Sequence, residues 1–404
     1  MADTGLTLTI QPTALAGLLE STHIPHQLTA FRGVLTPRQL DAPQAETAAL
    51  VTGAALHDLG WMRRVAVRGQ DRFRWLSGMV SNTVNDLFPN SGAWNFILNA
   101  QGHIQGDLTV WRQSEESSPL RRNPDAPTSN SMTGTDDPNL GTPFAGESGL
   151  ELEIAADQLD KLLAHLNRFI VMDDVELIPI GEEPSGEPGS ETAIGLAGPQ
   201  AHDVLERVGL PASSQPMSAR RVEWNGWDLA IFRAYGALVP HYQLFVPAAG
   251  LARLWSCLRA AGAAPVGCHS LEALRIAEAI PLYGVDIAER DLPQETSQLR
   301  ALHFNKGCYL GQEIVERIRA RGSVHRHLRP LELFGPVPTP GAGLTLDDGS
   351  PAGRVTSAAA LPLPSGSRVF ALAVIEAAAE AQSRQLHLAG AAATILAAPP
   401  ALAA

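Results

Sequence analysis

Cysteine and lysine are scarce in this chain of 404 residues. The cysteines are Cys257, Cys268 and Cys308, and the lysines are Lys161 and Lys306. An odd number of cysteines at this spacing fits neither a disulfide framework nor a zinc site built from CxxC pairs. No metal site is therefore predicted, and a reducing compartment is the simpler environment.

Basic leaders and long apolar runs are also missing. Residues 1–4 do not begin a signal peptide, and no apolar run reaches the length of about 18 residues that spans a membrane. We therefore expect a cytoplasmic protein with no membrane partner. The formal net charge of −12 argues against RNA or DNA as a partner. The basic stretch 317–329 is better interpreted as a solvated face or an anion-binding rim.

Several catalytic signatures are absent from the sequence. It contains no GxGxxG dinucleotide motif, no phosphate-binding P-loop, no HExxH and no GxSxG. His325 and His327 would face one side of a predicted strand. With no third ligand evident, we interpret them as exposed side chains and not as a metal site.

Mixed helix and strand patterns are followed by an all-β tail. Alternating apolar residues predict strands such as 61–68 and 150–154, and apolar residues at helical spacing predict helices at 157–169 and 251–261. From about Leu328 onward, short strand patterns alternate with Gly and Pro turns, which is typical of a small β-barrel. This order predicts an α+β protein with a separate C-terminal β-barrel.

Two stretches carry little pattern. Residues 1–45 are predicted to form a loosely ordered lead-in. Residues 114–148 are rich in Ser, Pro, Asn, Asp, Thr and Gly and have almost no large apolar side chains. Such a stretch cannot bury enough surface to offset its ordering entropy, so it is predicted to be a disordered insertion in a hairpin loop.

Residues 306–313, which read KGCYLGQE, carry the strongest chemical signal. A cation close to a thiol favours the reactive thiolate, and a helix predicted directly after the motif adds its dipole. Gly307 and Gly311 allow a tight backbone path around the thiol. We interpret Cys308 as a functional thiol that Lys306 activates or positions. The alternative is a buried, inert cysteine in a glycine-rich turn.

Polar residues also adjoin the predicted strands. Asn82, Asn99 and Asp107 can hydrogen-bond a heterocycle or satisfy turns, and the residues alone favour turns. A further segment, 273–287, has the pattern of a helix that stops before Asp286, for which a capping role is favoured.

Together these segments resemble YgfZ proteins. These form the iron–sulfur-cluster branch of the folate-binding superfamily that includes the glycine-cleavage T-protein, an aminomethyltransferase. Residues 306–313 match the KGCYxGQE signature of this branch. The segments 273–287 and 292–295 also resemble the superfamily, as do the looser elements 81–84 and 99–108. The resemblance runs from about Phe31 to about Glu380, interrupted by the insertion.

The resemblance implies two intertwined α+β domains that form a central folate pocket, followed by a C-terminal β-barrel. Residues 46–260 would form a folate-binding α+β region, 261–325 a second α+β part with the signature, and 326–400 the barrel. The implied cofactor is tetrahydrofolate or a derivative. The implied partners are iron–sulfur client or assembly proteins, and the signature cysteine would be essential.

The chain departs from the T-protein pattern at three places. The superfamily has an Asp-Asp pair where this chain has Gly106 and Asp107, and an Asn-Asp pair where it has Asn82 and Thr83. It also has an acid that contacts the pterin, whereas 233–240 contains none. A carboxylate recognises the donor-rich edge of a pterin well, so its loss weakens the case for aminomethyl transfer.

We therefore expect a tetrahydrofolate-binding accessory protein that supports iron–sulfur cluster assembly or repair, with Cys308 as its functional thiol. The expected folate-pocket residues are Asn82, Asn99, Asp107, Arg233 and Tyr283. Arg233 is expected to pair with the glutamate tail of the folate. Two alternatives stay open: a folate-dependent aminomethyltransferase or demethylase, which needs Asp107, and a non-enzymatic folate-binding scaffold.

Overall fold

The computed structural model describes residues 10–114, 149–181, 190–322, 324–382 and 385–402. Apart from Ser114, the predicted insertion lies outside the described residues. The helices in the described part are α1 (Ala14–Ser21), α2 (Pro43–Thr52), α3 (Arg72–Met79), α4 (Ala156–Asn167), α5 (Ala201–Arg207), α6 (Leu251–Ala260), α7 (Cys268–Ala277), α8 (Gln312–Arg321) and α9 (Ala377–Ala381). Within these ranges, none of the helices has the length and apolar character to cross a membrane.

The strands alternate with these helices along the chain. Up to residue 180 they are β1 (Gln27–Phe31), β2 (Val34–Gln39), β3 (Ala55–Asp58), β4 (Met62–Arg68), β5 (Ser91–Leu98), β6 (Ile104–Arg112), β7 (Leu150–Ala155) and β8 (Glu176–Ile180). The later strands are β9 (Glu191–Ala197), β10 (Ser218–Trp224), β11 (Trp227–Ala234), β12 (His241–Pro247), β13 (Ala264–Val266), β14 (Arg326–Leu333), β15 (Gly343–Thr345), β16 (Pro351–Leu363), β17 (Gly366–Glu376), β18 (Leu386–Leu388) and β19 (Ala391–Ile395).

One large sheet of 11 strands dominates the fold, in the order β13-β3-β9-β12-β11-β10-β5-β6-β7-β4-β8. Its two halves meet at β10 and β5, where Ser218 pairs with Ser91. One half contains β3 and β9–β13, and the other contains β4–β8. Along the chain, β3 belongs to the first of these halves, β4–β8 form the second, and β9–β13 return to the first. The two halves are therefore intertwined along the sequence.

A closed barrel of β14-β17-β16-β15-β18-β19 follows the sheet. It packs on α7 through a shared apolar cluster that includes Ile276, Ala277 and Phe370. The predicted α+β class, with intertwined sheet halves and a C-terminal β-barrel, is confirmed.

The amphipathic helices follow their sequence pattern. Leu159, Leu162 and Leu166 of α4 recur at a spacing of three or four residues and are buried together against the strands of one sheet half. Leu254 and Leu258 of α6 do the same in the core of the other half. Each half therefore has its own apolar core.

Residues 10–39 differ from the predicted loosely ordered lead-in. Helix α1 packs against α6 through the buried Leu15 and Leu19. Strands β1 and β2 form a hairpin whose turn places Arg32 and Gly33 at φ 50° and 86°. An arginine at positive φ is not the usual Asn-Gly hairpin signal, and β1 is mostly exposed, so neither turn chemistry nor alternation reveals this hairpin in the sequence.

A charged cluster is buried between the two sheet halves. Arg64 on β4 binds Glu151 on β7 (Nη2–Oε2 2.7 Å) and Glu191 on β9 (Nη1–Oε1 2.8 Å). Arg221 on β10 also donates to Glu151. Burial raises the pKa of Glu151, but the charges of Arg64 and Arg221 outweigh burial and lower the pKa overall. The ionised cluster therefore ties four strands from both halves together.

Replacing Arg64 by methionine should strongly destabilise the fold, because Glu151 and Glu191 would lose their shared cation inside the protein. We expect a loss of about 3–5 kcal/mol in the free energy of unfolding, measured by urea denaturation. The control is Arg74→Met, since the Arg74 side chain is 69% exposed and its ion pairs lie at the surface. Small losses of similar size in both variants would contradict a structural role for the cluster.

Candidate functional site

A cavity of about 290 Å³ lies between the two sheet halves and α7. Residues of β6 and β7 line it from one half, residues of β11 and β12 from the other, and residues of α7 close it. Trp61, Trp94 and Trp111 contribute flat aromatic surface to its walls. An aromatic cavity with a few polar groups is the usual form of a small-molecule site.

Asp107 is the predicted site residue that lines this cavity. Its Oδ2 accepts a hydrogen bond from Trp94 Nε1 (2.8 Å), and its Oδ1 accepts one from Gln158 Nε2 (2.9 Å). At Gly106, an added Cβ would lie 2.7 Å from Gln158 Oε1. The absence of a side chain at Gly106 therefore makes room for the amide that holds Asp107.

Arg300 places a cation at the cavity. Its Cζ lies 3.8 Å from the ring centroid of Tyr235 and 4.6 Å from that of Trp94, so the guanidinium contacts two aromatic rings. Burial lowers the pKa of Arg300 to about 10, which leaves it charged at neutral pH. Its Nε donates to Gln298 Oε1 (3.1 Å).

The other two arginines that line the cavity have carboxylate partners. Arg32 lies 3.2 Å from Asp157, and Arg275 lies 2.6 Å from the buried Asp286. Among the described residues, no carboxylate forms a salt bridge with Arg300. Arg300 is therefore the cavity arginine best able to pair with an anionic ligand group.

Glu153 on β7 is a buried acid in the cavity wall. Its Oε2 accepts from Trp111 Nε1 (3.0 Å) and its Oε1 from Gln243 Nε2 on β12 (2.9 Å). Burial raises the pKa of Glu153 to about 7, although these hydrogen bonds and the charge of Arg64 oppose the rise. Ionisation of this carboxyl group therefore costs more than that of an exposed glutamate, and hydrogen-bond donors from a ligand would favour the ionised form.

Two more acceptors lie in the cavity wall. Gln243 Oε1 is buried and has no hydrogen-bond partner among the described residues. The His57 Nδ1 lies 3.0 Å from the carbonyl oxygen of Asp58 and must donate to it, which leaves Nε2 as an acceptor. Burial lowers the pKa of His57 to about 4, so this ring is neutral.

The predicted pocket residues Asn82 and Asn99 are absent from the described lining of the cavity. Asn82 Nδ2 instead donates to the carbonyl oxygens of Trp94 (3.0 Å) and Arg300 (2.8 Å), so it fixes two residues that do line it. Asn99 Oδ1 accepts two backbone N–H bonds of 3.0 Å within its own turn. Asn82 is thus a positioning residue, and Asn99 satisfies a turn.

Arg233 and Tyr283 are likewise missing from the described cavity wall. The buried Arg233 donates to the carbonyl oxygens of Ala234 (2.8 Å) and His241 (3.3 Å), which corrects its expected contact with a ligand tail. Tyr283 lies beside the cavity, since its carbonyl oxygen accepts from Arg32 (3.0 Å) and its hydroxyl from Lys161 (2.7 Å). Both side chains are held by protein groups.

The motif at 306–313 docks beside the cavity and not in its described wall. Lys306 Nζ donates to the carbonyl oxygens of Val80 (2.8 Å) and Asn82 (2.6 Å). Within the described residues, Lys306 forms no hydrogen bond with Cys308. Burial lowers the pKa of Lys306 to about 7. These two hydrogen bonds tether the loop, and the activation or positioning of Cys308 by Lys306 stays a prediction.

The glycine before α8 allows this docking. Gly311 has φ 82°, and an added Cβ would lie 2.6 Å from the carbonyl oxygen of Asn99. The loop therefore packs its backbone directly on the turn between β5 and β6. Leu310 N also donates to Gly78 O at 3.0 Å.

The three cysteines occupy different environments. Cys308 is exposed, Cys257 is partly buried, and Cys268 is buried with its pKa raised to about 12 by burial. In the described ranges, no group of three His, Cys, Asp or Glu side chains is arranged to hold a metal ion. Cys308 is therefore the thiol most accessible to another molecule.

Comparisons with known proteins agree with this architecture. The GCVT N-terminal domain matches residues 23–122. The chain is 26% identical to an aminomethyltransferase of Nostoc sp. over 89% of this chain and 86% of the relative, and 25% identical to one of Geobacillus kaustophilus over 89% of each. The crystal structure of glycine cleavage system aminomethyltransferase T from Bartonella henselae superposes with a TM-score of 0.77, at 19% identity, covering 97% of this chain and 98% of that one.

By sequence, the chain is therefore similar to aminomethyltransferases along most of its length. The similarity to the Bartonella henselae structure concerns the fold, since only 19% of residues are identical. Within this fold, Asp107 lines the cavity and the 306–313 loop lies beside it.

Three residues that line the cavity were not predicted as site residues from the sequence: Glu153, Gln243 and Arg300. The pattern Leu-Glu-Leu-Glu-Ile at 150–154 resembles a half-exposed strand, yet every residue of β7 is buried. The available signal for Glu153 was the presence of two glutamates, Glu151 and Glu153, on β7. This strand pairs with β4, which carries arginines. Arg300 lies in a short 3-10 turn (Leu299–Ala301), where the sequence offers no comparable signal.

The raised pKa of Glu153 predicts a pH-dependent stability. The folded pKa of about 7 exceeds the unfolded value of 4.5, so its contribution to stability is present below 4.5 and is lost as pH rises through 7. Between about pH 5 and pH 8, the free energy of unfolding of the Glu153→Gln variant should rise relative to wild type by about 3 kcal/mol. Urea denaturation across this range measures it, and a pH-independent difference would contradict the assignment.

Proposed function

We propose that this protein is a tetrahydrofolate-binding accessory protein of the YgfZ type that supports iron–sulfur cluster assembly or repair in the cytoplasm. The proposal that the protein binds tetrahydrofolate rests on the cavity. It combines aromatic walls, an acid at Asp107 and a cation at Arg300 that has no carboxylate partner among the described residues. Flat, apolar surface with separate acidic and basic groups suits a ligand with a flat polar ring and an anionic tail.

The cavity residues fit such a ligand. The buried Gln243 Oε1 lacks a partner within the described residues, as expected of a wall that receives a hydrogen bond from a ligand. Trp94 and Trp111 offer surfaces for stacking. The relatives named aminomethyltransferase support a folate of the one-carbon type. A bound folate would supply the carrier of one-carbon units.

Arg300, and not Arg233, is the residue that would meet the glutamate tail. Arg233 is 7% exposed and donates to two carbonyl oxygens, whereas Arg300 lies at the cavity between two rings. A guanidinium matches a carboxylate in geometry and charge.

The exposed thiol supports the second part of the proposal. Cys308 lies in the signature loop, which Lys306 and Gly311 anchor to the rest of the protein. An anchored loop with an exposed thiol can present sulfur to a second protein without opening the fold. Three cysteines cannot complete a four-cysteine cluster within one chain, so the cluster would be cargo of partner proteins.

Calorimetric titration with tetrahydrofolate tests the folate part. Wild type should bind, and Arg300→Gln should weaken binding of the monoglutamate by roughly tenfold to a hundredfold, because a charge-assisted hydrogen bond is lost. Arg253→Gln, at an exposed position of α6, is the control and should bind like wild type. Equal affinity in all three proteins would exclude Arg300 as the tail partner, and absence of binding to wild type would refute the folate proposal.

Complementation of a deletion strain tests the thiol. Cys308→Ser should fail to restore the activity of iron–sulfur enzymes while retaining tetrahydrofolate affinity, because the thiol lies outside the described cavity wall. Cys257→Ser, at a partly buried cysteine, should restore it. Full rescue by Cys308→Ser would favour a folate-binding scaffold in which the thiol has no role.

A folate-dependent aminomethyltransferase is the second candidate, and the position of Asp107 favours it. A pocket carboxylate next to a bound folate suits proton transfer during aminomethyl chemistry. This candidate predicts release of ammonia or formaldehyde from aminomethyl substrates, and loss of that release in Asp107→Asn. The accessory-protein proposal predicts no such turnover by wild type.

A further inference from the structure

The Glu153–Gln243 pair spans the cavity wall between the two sheet halves. Glu153 belongs to β7 and Gln243 to β12, and five strand-to-strand steps separate these strands in the sheet order. Their 2.9 Å hydrogen bond therefore joins opposite halves of a strongly curved sheet. The buried Glu153 and the partly buried Gln243 both line the cavity.

The pair has more acceptor capacity than the protein uses. An ionised carboxylate offers about four acceptor positions, and Glu153 receives one bond on each oxygen. Gln243 Oε1 receives none from the described residues. A buried acceptor without a partner is costly, so an incoming donor would be favourable here.

The remaining cavity carboxylates are better satisfied. Glu278 accepts from two backbone N–H groups and from His241 Nε2 (2.9 Å). Glu272 binds Arg275 at 2.8 Å. Asp107 is held by Gln158, whose own Oε1 accepts from the Asp107 N–H at 3.0 Å, so this amide is satisfied at both ends. Only the Glu153–Gln243 pair, among the described cavity carboxylates and their partners, leaves an amide oxygen unpaired.

We infer that Glu153, with Gln243 beside it, recognises the donor-bearing edge of the pteridine ring and thereby replaces the acid that is missing from 233–240. This inference rests on the proposed folate function. The 2-amino group and the neighbouring ring N–H of a pteridine present two parallel donors, which match the two oxygens of a carboxylate as a guanidinium does. The 2-amino group has a second hydrogen that suits Gln243 Oε1.

The geometry gives Glu153 a defined orientation for this task. Trp111 Nε1 and Gln243 Nε2 hold one carboxylate oxygen each. Because both partners are themselves buried or partly buried in the wall, the carboxylate is preorganised and little ordering cost remains on binding. Recognition by a fixed acceptor set should strongly reject a ring that lacks the donor.

Binding of two ligands by two variants tests the inference. The ligands are 5-formyltetrahydrofolate and an analogue in which hydrogen replaces the 2-amino group. Wild type should prefer the amino compound by roughly thirtyfold or more, measured by calorimetry. Glu153→Gln should lose most of this preference while retaining its fold, because its amide can still bond Trp111 and a rotated Gln243 amide. Glu176→Gln, at an exposed position of β8, is the matched control and should keep the preference.

The outcomes separate the inference from the function on which it rests. If wild type binds neither ligand, the folate proposal itself is refuted. If wild type binds 5-formyltetrahydrofolate and Glu153→Gln discriminates between the two ligands as strongly as wild type, the role of Glu153 is refuted and the folate proposal stands. Circular dichroism of the variant in the near ultraviolet checks that the tryptophan-lined wall is intact.

Discussion

Buried side chains join the two halves of the large sheet, in an ionised cluster and in an apolar cluster that contains Trp111 and Phe232. Backbone pairing between them is limited to the short contact of β5 with β10, whereas Arg64, Glu151, Glu191 and Arg221 connect four strands across the junction. Such clusters cost desolvation energy, and they stabilise a fold only when every charge is paired. The cavity lies between the halves that this cluster connects, and Leu271, Glu272 and Arg275 of α7 contribute to its wall.

The 306–313 loop lies outside the described cavity wall, and a short chain of hydrogen bonds connects the two. Lys306 binds the carbonyl oxygen of Asn82, and the Asn82 amide binds the carbonyl oxygens of Trp94 and Arg300. Lys306 of the motif therefore serves attachment of the loop. This lysine secures the loop next to the cavity wall, and the thiol remains exposed at the surface.

The sequence predicts most of the architecture because helix and strand periodicities are local signals. Helix α4 and the β-barrel tail are examples, and the resemblance supplies the intertwined sheet halves. The cavity is harder to predict because its polar groups meet only through the fold: Glu153 and Gln243 are 90 residues apart in the chain. Asn82 and Arg233 were expected to contact a ligand, but their side chains donate to backbone carbonyl oxygens instead. The sequence alone does not distinguish these two uses of a polar side chain beside a strand.

A crystal structure of the protein with 5-formyltetrahydrofolate tests the proposed folate function most directly. We expect density for a pteridine ring in the tryptophan-lined cavity, with its 2-amino edge against Glu153 and its glutamate tail directed toward Arg300. A cavity that contains only water at saturating ligand, or a folate bound elsewhere on the protein, would contradict it.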